Sequence, residues 1–210
     1  METHEKFNRV EWGEGVEYIS SMRGQDDKRG GGISLIKGKN GCAWEKADYS
    51  CSDILMGRLN LWKLSIYILL VYIDVKDRER NANIYENLNI GMEVAVSSEM
   101  PIIIMCDFNG HVGFLRNQER SYNGTKMLEF TERWNLIMMN CDVKCKGTFA
   151  RIEGNNKSVI DYVLINDEIY QYCELIRVRY CMIYHTMYIY VCRCEYIEQD
   201  NSVGGKKLIK

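Results

Sequence analysis

Three side chains suited to chemistry follow one apolar segment: Asp107, Asn109 and His111 come after the run Ile102 to Ile104. This run predicts a strand buried on both faces, because such a strand needs no polar alternation. Asp107 and Asn109 then lie at its carboxyl end, where α/β sheets bind ligands, and the two-residue period predicts that they share a face. A carboxylate beside a carboxamide can direct a water at a phosphate and hold a phosphate oxygen. The alternative is an Asp/Asn/Gly turn that only ends the strand.

A second apolar segment carries a carboxylate. Ser158 to Ile165 reads Ser-Val-Ile-Asp-Tyr-Val-Leu-Ile, which predicts another strand with Asp161 among its apolar residues. A charge at such a position is costly unless it has a partner. The second segment therefore favours a functional site over a simple turn.

These two segments resemble strand motifs of the endonuclease/exonuclease/phosphatase superfamily, which read roughly G-D-F-N and I-D-Y-hydrophobic. More narrowly, they resemble the endonuclease domain of non-LTR retrotransposons and the related craniofacial development protein 2-like proteins. Three further segments agree in order: Glu2-Thr3-His4 with the Q-E-T/S strand end, Gly30-Gly31-Gly32-Ile33 with a glycine-rich turn, and Val71-Tyr72 with a V/A-Y segment. The resemblance runs from residue 2 to about residue 193.

The resemblance implies a two-sheet α/β sandwich with helices outside, and hydrolysis of phosphodiester bonds in DNA with a divalent metal, usually Mg²⁺. It implies a role for each matching residue. Glu2 would bind the metal, Asp107 would orient or deprotonate the attacking water, and Asn109 would bond the phosphate. Tyr72 would stabilise charge on a phosphate oxygen, His185 would lie near the scissile phosphate, and Asp161 would fix the tautomer of that histidine. His111 falls in the D-F-N-x-H stretch of the retroelement branch, and we expect it to shape the loop.

Two departures from the family pattern predict weakened or lost activity. The family ends in Ser-Asp-His, whereas this chain has Tyr184 before His185. A phenol with a pKa near about 10 is neutral at working pH and adds no charge for holding a metal. Family members also carry a strand and a helix before the Q-E-T strand, so we expect the fold to lack its first strand and Glu2 to be poorly held.

Composition agrees with one domain, predicted over residues 1–195, followed by a disordered tail over residues 196–210. The chain has 210 residues, 46% of them hydrophobic, and a net charge of −2, which argues against coating nucleic acid through bulk electrostatics. Any contact with DNA must be local, and the basic stretch Lys144 to Lys157 is either a phosphate track or a solvated loop.

The cysteines and the amino terminus bear on location. Nine cysteines at irregular spacings favour free intracellular thiols over zinc or disulfides. The polar start Met1 to Asn8 excludes a signal peptide as written, and no apolar run is long enough for a membrane span. We therefore expect a nuclear or cytoplasmic protein that is not secreted, in which the glycosylation patterns at Asn123 and Asn156 have no meaning.

Periodicity predicts alternating strands and helices. A helix over Asn81 to Val96 is interrupted only by Gly91, and a second helix is capped by Asn123. The second helix is predicted to present Met127, Phe130, Trp134 and Ile137 on one face. Strands are predicted at Ile33–Ile36, Leu64–Val75, Ile102–Cys106, Ile160–Ile165 and Thr186–Cys192.

Two other functions stay open. A phosphatase of the same superfamily would act on a phosphoinositide or another small phosphoester, since fold does not fix substrate. A noncatalytic binding domain would keep the polar strand ends as relics. The sequence gives no oligomeric state.

Overall fold

The computed structural model describes residues 10–13, 16–22, 32–38, 42–48, 50–61, 64–115, 119–146, 151–153, 156–171, 175–181 and 186–192. Its strands are β1 Val10–Gly13, β2 Val16–Met22, β3 Gly32–Gly38, β4 Cys42–Lys46, β5 Ile54–Leu61, β6 Ser65–Tyr72, β7 Ile102–Asp107, β8 Ile137–Met138, β9 Cys145–Lys146, β10 Arg151–Glu153, β11 Asn156–Ser158, β12 Asp161–Ile165, β13 Leu175–Cys181 and β14 Thr186–Cys192. The helices are α1 Arg78–Ser97, α2 Tyr122–Arg133 and α3 Asp167–Tyr170, with a 3-10 helix at Met139–Cys141.

A six-stranded sheet in the order β4-β5-β6-β7-β12-β8 forms the centre of the fold. β6 and β7 run parallel, joined by α1, while β12 is antiparallel to β7. Smaller sheets have the orders β1-β2-β3, β10-β11 and β14-β13-β9. This architecture confirms the predicted α/β class.

The central sheet buries both faces, which explains why its strands read as continuous apolar runs. On the first face, alternate residues of β6, β7 and β12 pack with α1 and α2. On the second face, the other residues of these strands pack with Ile19 of β2 and Ile33 of β3. The sheet thus lies between a helical layer and these two strands.

Most predicted elements are confirmed, but the end of β6 and the effect of Gly91 were mispredicted. The strands predicted at Ile33–Ile36, Ile102–Cys106, Ile160–Ile165 and Thr186–Cys192 lie within or overlap β3, β7, β12 and β14, and α1 contains the predicted first helix. β6 ends at Tyr72 rather than Val75, because its parallel partner β7 ends at the paired residue Asp107. Gly91 does not break α1, since its missing side chain makes room for Met56.

The cap and the end of the second helix were also mispredicted. Asn123 lies inside α2, and Ser121 is the capping residue, because its Oγ accepts from the Gly124 amide at 3.1 Å. α2 ends at Arg133, so Ile137 belongs to β8 rather than to the helix face. The predicted disordered tail lies outside the described residues, and no helix of the described part has the length and apolar character to cross a membrane.

Candidate active site

Three of the predicted site residues are paired in register on three neighbouring strands. Tyr72 ends β6 and pairs with Asp107, which ends β7, and Asp107 also pairs with Asp161, which begins the antiparallel β12. Neighbouring strands lie about 4.8 Å apart, so the three residues form a short row across the ends of these strands. Tyr72 packs with the second apolar cluster, and directly paired residues share a face. The row therefore lies on the sheet face that also contacts β2 and β3.

Asn109 lies beside this row, but not for the predicted reason. The strand ends at Asp107, and Asn109 has a left-handed backbone with φ of 45°, so the two-residue period does not extend to it. Its backbone amide instead donates to Asp107 Oδ1 at 3.0 Å. Its Nδ2 donates to the Ile73 carbonyl at 2.9 Å, which ties the loop after β7 to the residue that follows Tyr72.

The loop that carries Asn109 is anchored to the start of α2. The His111 amide donates to Ser121 Oγ at 2.9 Å, and the His111 carbonyl accepts from the Ser121 amide at 3.0 Å. Gly110 packs against the backbone of Gly124, where a side chain at either position would collide with main chain. The backbone of His111 therefore fixes the loop, whereas a role for its side chain in shaping the loop stays a prediction. Its Nδ1 is buried and has no hydrogen-bond partner within the part of the chain that the structure describes.

Aromatic side chains support the same loop from the first apolar cluster. Phe108 is fully buried, stacks on Tyr85 at a centroid distance of 6.3 Å, and lies 6.2 Å from the ring of Tyr162. The Tyr162 hydroxyl lies 2.9 Å from the Gly110 carbonyl oxygen and 3.0 Å from that of Val159. Burial raises the pKa of Tyr162, so the phenol keeps its proton as a donor to these carbonyls.

A buried carboxamide network, which sequence reasoning missed, joins the loops after β6 and β7. Asn81 of α1 and Asn123 of α2 both donate to the Asp74 carbonyl, at 2.8 and 3.0 Å. Asn123 also donates to the Asn109 carbonyl at 3.3 Å. Asn123 is 5% exposed, so its place in a glycosylation pattern has no consequence in the folded protein. Nothing in the sequence around these asparagines reveals the distant carbonyls that they bind.

Two more polar contacts near the row were also missed. Arg80 binds the buried Asp53 through two hydrogen bonds, Nε to Oδ2 at 2.8 Å and Nη2 to Oδ1 at 2.9 Å. The Asp53 carbonyl accepts from the Tyr72 amide at 3.0 Å, so this ion pair lies next to the end of β6. On the other side, the Asn140 side chain binds the backbone of β12 at Asp161.

The thiol nearest to the row is not a nucleophile. Cys106 is buried directly before Asp107, and its pKa is raised well above the ordinary 9.0 by burial and then by the charges of Asp161 and Asp107. A thiol in such surroundings stays protonated and inert. Among the cysteines whose side chains are described, Cys106 and Cys141 are free thiols.

The proposed metal ligand, Glu2, is not among the residues that the structure describes. Tyr184 and His185 also lie outside the described residues. Among the residues that are described, no three His, Cys, Asp or Glu side chains come together as a metal-binding group. What the row offers is two carboxylates and a neighbouring carboxamide, which are the hard oxygen donors that Mg²⁺ prefers.

Comparison with known proteins agrees with this geometry. The family model described as endonuclease-reverse transcriptase matches residues 66–187, which is more than half of the chain and includes β6, β7 and β12. The chain therefore belongs to this family. No curated protein matches the chain.

Solved structures show the same fold. The endonuclease domain of TRAS1, a telomere-specific non-LTR retrotransposon, superposes with a TM-score of 0.64 at 14% identity, over 79% of this chain and 74% of that one. An endonuclease/exonuclease/phosphatase family protein from Bacteroides thetaiotaomicron gives 0.52 at 16% identity over 73% and 62%, and the human Nocturnin catalytic domain gives 0.50 at 11% over 79% and 63%. The chain thus spans less than two thirds of the length of the Bacteroides thetaiotaomicron protein and of the Nocturnin catalytic domain. Family and fold together support a phosphodiester hydrolase.

Proposed function

We propose that this chain is a DNA endonuclease domain of the retroelement type, related to the craniofacial development protein 2-like branch, with weakened activity. The observation that carries the proposal is the row Tyr72, Asp107 and Asp161 across the ends of β6, β7 and β12, with Asn109 held beside it. The match to the family model described as endonuclease-reverse transcriptase supports the nuclease over other members of the superfamily.

Each residue of the row has a task in hydrolysis. The Asp107 carboxylate orients the attacking water and accepts its proton. The carboxamide of Asn109 bonds a phosphate oxygen, and its fixed contact with the Ile73 carbonyl sets the direction of the side chain. The Tyr72 hydroxyl donates to the oxygen on which charge develops. By the family resemblance, Asp161 would fix the tautomer of His185, and His185 would act near the scissile phosphate.

The oxygen donors at the row fit a divalent cation, and we propose Mg²⁺ with Glu2 as a ligand. A bound Mg²⁺ would neutralise charge on the phosphate. Tyr184 stands where the family carries an aspartate, so one negative charge is missing from the region before His185. Loss of one such partner weakens metal binding by about 10- to 100-fold, which is the physical basis for the weakened activity.

A plasmid-nicking assay tests the proposal. The purified chain is incubated with supercoiled DNA and Mg²⁺, with a chelator as the blank and Asp107→Ala as the matched variant. We expect slow nicking that disappears in the chelator and in the variant. Rapid nicking by the unchanged chain would contradict the weakened activity. Absence of nicking by a folded sample would point to the noncatalytic alternative, and release of inorganic phosphate from small phosphoesters would point to the phosphatase.

A further inference from the structure

The carboxamide of Asn140 bonds the backbone of β12 beyond the end of its pairing with β8. β8 pairs with β12 only at Leu164 and Ile165, and the chain then turns into the 3-10 helix Met139–Cys141. From that helix Asn140 Nδ2 donates to the Asp161 carbonyl at 3.0 Å, and Asn140 Oδ1 accepts from the Val163 amide at 2.9 Å. One side chain thus presents the donor and the acceptor that the backbone of a neighbouring strand would present.

These two bonds bear directly on the candidate active site. Asp161 is the first residue of β12, and β7 holds it on one side through the pairing with Asp107. β8 does not reach Asp161 on the other side, where Asn140 bonds its carbonyl. We propose that Asn140 is a positioning residue that sets the place of Asp161 relative to Asp107. The proposal rests on the proposed function, because it assigns Asn140 to the same hydrolytic site.

The chain contains a matched control at the opposite end of β12. The carboxamide of Asn166 also bridges two backbone groups, with Oδ1 accepting from the Ile102 amide at 2.8 Å and Nδ2 donating to the Met100 carbonyl at 3.0 Å. Asn166 follows the last residue of β12 and lies beside the start of β7, away from the row. Asn140→Ala and Asn166→Ala therefore each remove two hydrogen bonds from a carboxamide to the backbone. Only the two bonds of Asn140 lie at the candidate active site.

The kinetic test compares these two variants in the nicking assay. We expect Asn140→Ala to lower kcat by about 10- to 100-fold with KM within about twofold, because misplacing a reacting group affects the transition state more than binding. Asn166→Ala should keep kcat within about twofold. It should nevertheless lower the midpoint of urea unfolding by about as much as Asn140→Ala does. Equal kcat losses in the two variants would mean that Asn140 contributes stability alone and would overturn the proposal.

A third variant separates the two bonds of Asn140. Asn140→Asp has the same shape and keeps the acceptor for the Val163 amide, but it places an oxygen opposite the Asp161 carbonyl. If the bond to Asp161 is the one that matters, kcat should fall nearly as far as in Asn140→Ala. A kcat like that of the unchanged chain would contradict the proposal.

A second measurement does not need activity. In the ¹H–¹⁵N NMR spectrum of the full chain, Asn140→Ala should shift the backbone amide signals of both Asp161 and Asp107, and Asn166→Ala should shift neither. If the unchanged chain does not nick DNA but these signals move as expected, the proposed function fails and the positioning role stands. If the Asp107 signal stays in place, the positioning role fails whatever the activity.

Discussion

At the scale of single residues, two glycines show how tightly the candidate site is packed. A methyl group on Gly124 would overlap the His111 carbonyl, whereas one on Gly91 would meet only the end of the Met56 side chain. We expect Gly124→Ala to lower the free energy of unfolding by roughly 3 kcal/mol, the upper end for overpacking, because backbone cannot move aside. Gly91→Ala should cost less, since the flexible end of the Met56 side chain can move aside.

Urea unfolding of the two glycine variants measures this difference. Losses of the same size, or a smaller loss in Gly124→Ala, would show that the loop after β7 can shift away from α2. The loop carries Asn109, so such freedom would also weaken the argument that its backbone is fixed.

The site residues that were predicted can be recognised from the sequence segment in which they lie. The site residues that were missed cannot be recognised in this way. Asp107 follows an apolar run and Asp161 lies within one, which is a local pattern, and Tyr72 was predicted from the resemblance of Val71-Tyr72 to a family segment. Asn123 and Asn140 act through backbone groups that are distant along the chain, at Asp74 and at Asp161. An asparagine's partner depends on the fold, so no local pattern reveals it.

At the scale of elements, buried strands were predicted well and partly exposed ones were not. β7 and β12 are apolar on both faces, which a short run reveals. β5 was missed although its first four residues are buried, because Gly57 and Arg58 interrupt the pattern. Gly57 is needed there because a side chain would collide with Trp44 of the paired strand β4. That requirement comes from cross-strand packing, which is not visible before the strands are paired.

The ion pair between Asp53 and Arg80 joins the turn before β5 to the first turn of α1. The side chain of Asp53 is 5% exposed and that of Arg80 is 24% exposed. We expect Arg80→Met to cost about 3 to 5 kcal/mol, because the buried carboxylate of Asp53 loses the positive charge and the two hydrogen bonds of Arg80. Asp53→Asn combined with Arg80→Met should cost less than Arg80→Met alone, since the uncompensated charge is gone.

A double-mutant cycle by urea unfolding checks this expectation. Losses that simply add would mean that the two side chains do not interact, in spite of their two hydrogen bonds. The same variants report on the site, because the Asp53 carbonyl binds the Tyr72 amide. If Arg80→Met changes the rate of nicking, we would attribute the change to movement of Tyr72 at the end of β6.

At the scale of the whole molecule, weak acids are buried in several parts of the fold. Burial is the largest cause of a raised pKa in Cys51, Cys106, Cys145, Tyr85 and Tyr162, and it raises the pKa of Cys141 to about 11. In each case the folded protein holds a proton that the unfolded chain releases at lower pH. Because the unfolded state then binds fewer protons than the folded state, the free energy of unfolding falls as pH rises.

The fall begins near the ordinary pKa of the thiol, which is 9.0 for Cys106. We expect these groups to leave stability unchanged up to about pH 8 and then to lower it, by at most about 1.4 kcal/mol per pH unit for each fully buried group. At pH 8 the Cys106→Ala variant should be less stable than the unchanged chain, because it leaves a cavity. Its free energy of unfolding should fall less between pH 8.5 and 10, because it lacks one of the titrating thiols. Urea unfolding across this range measures both slopes. Parallel slopes in the two proteins would mean that Cys106 is ionised as readily in the folded chain as in the unfolded one, and that the core beside Asp107 is open to water.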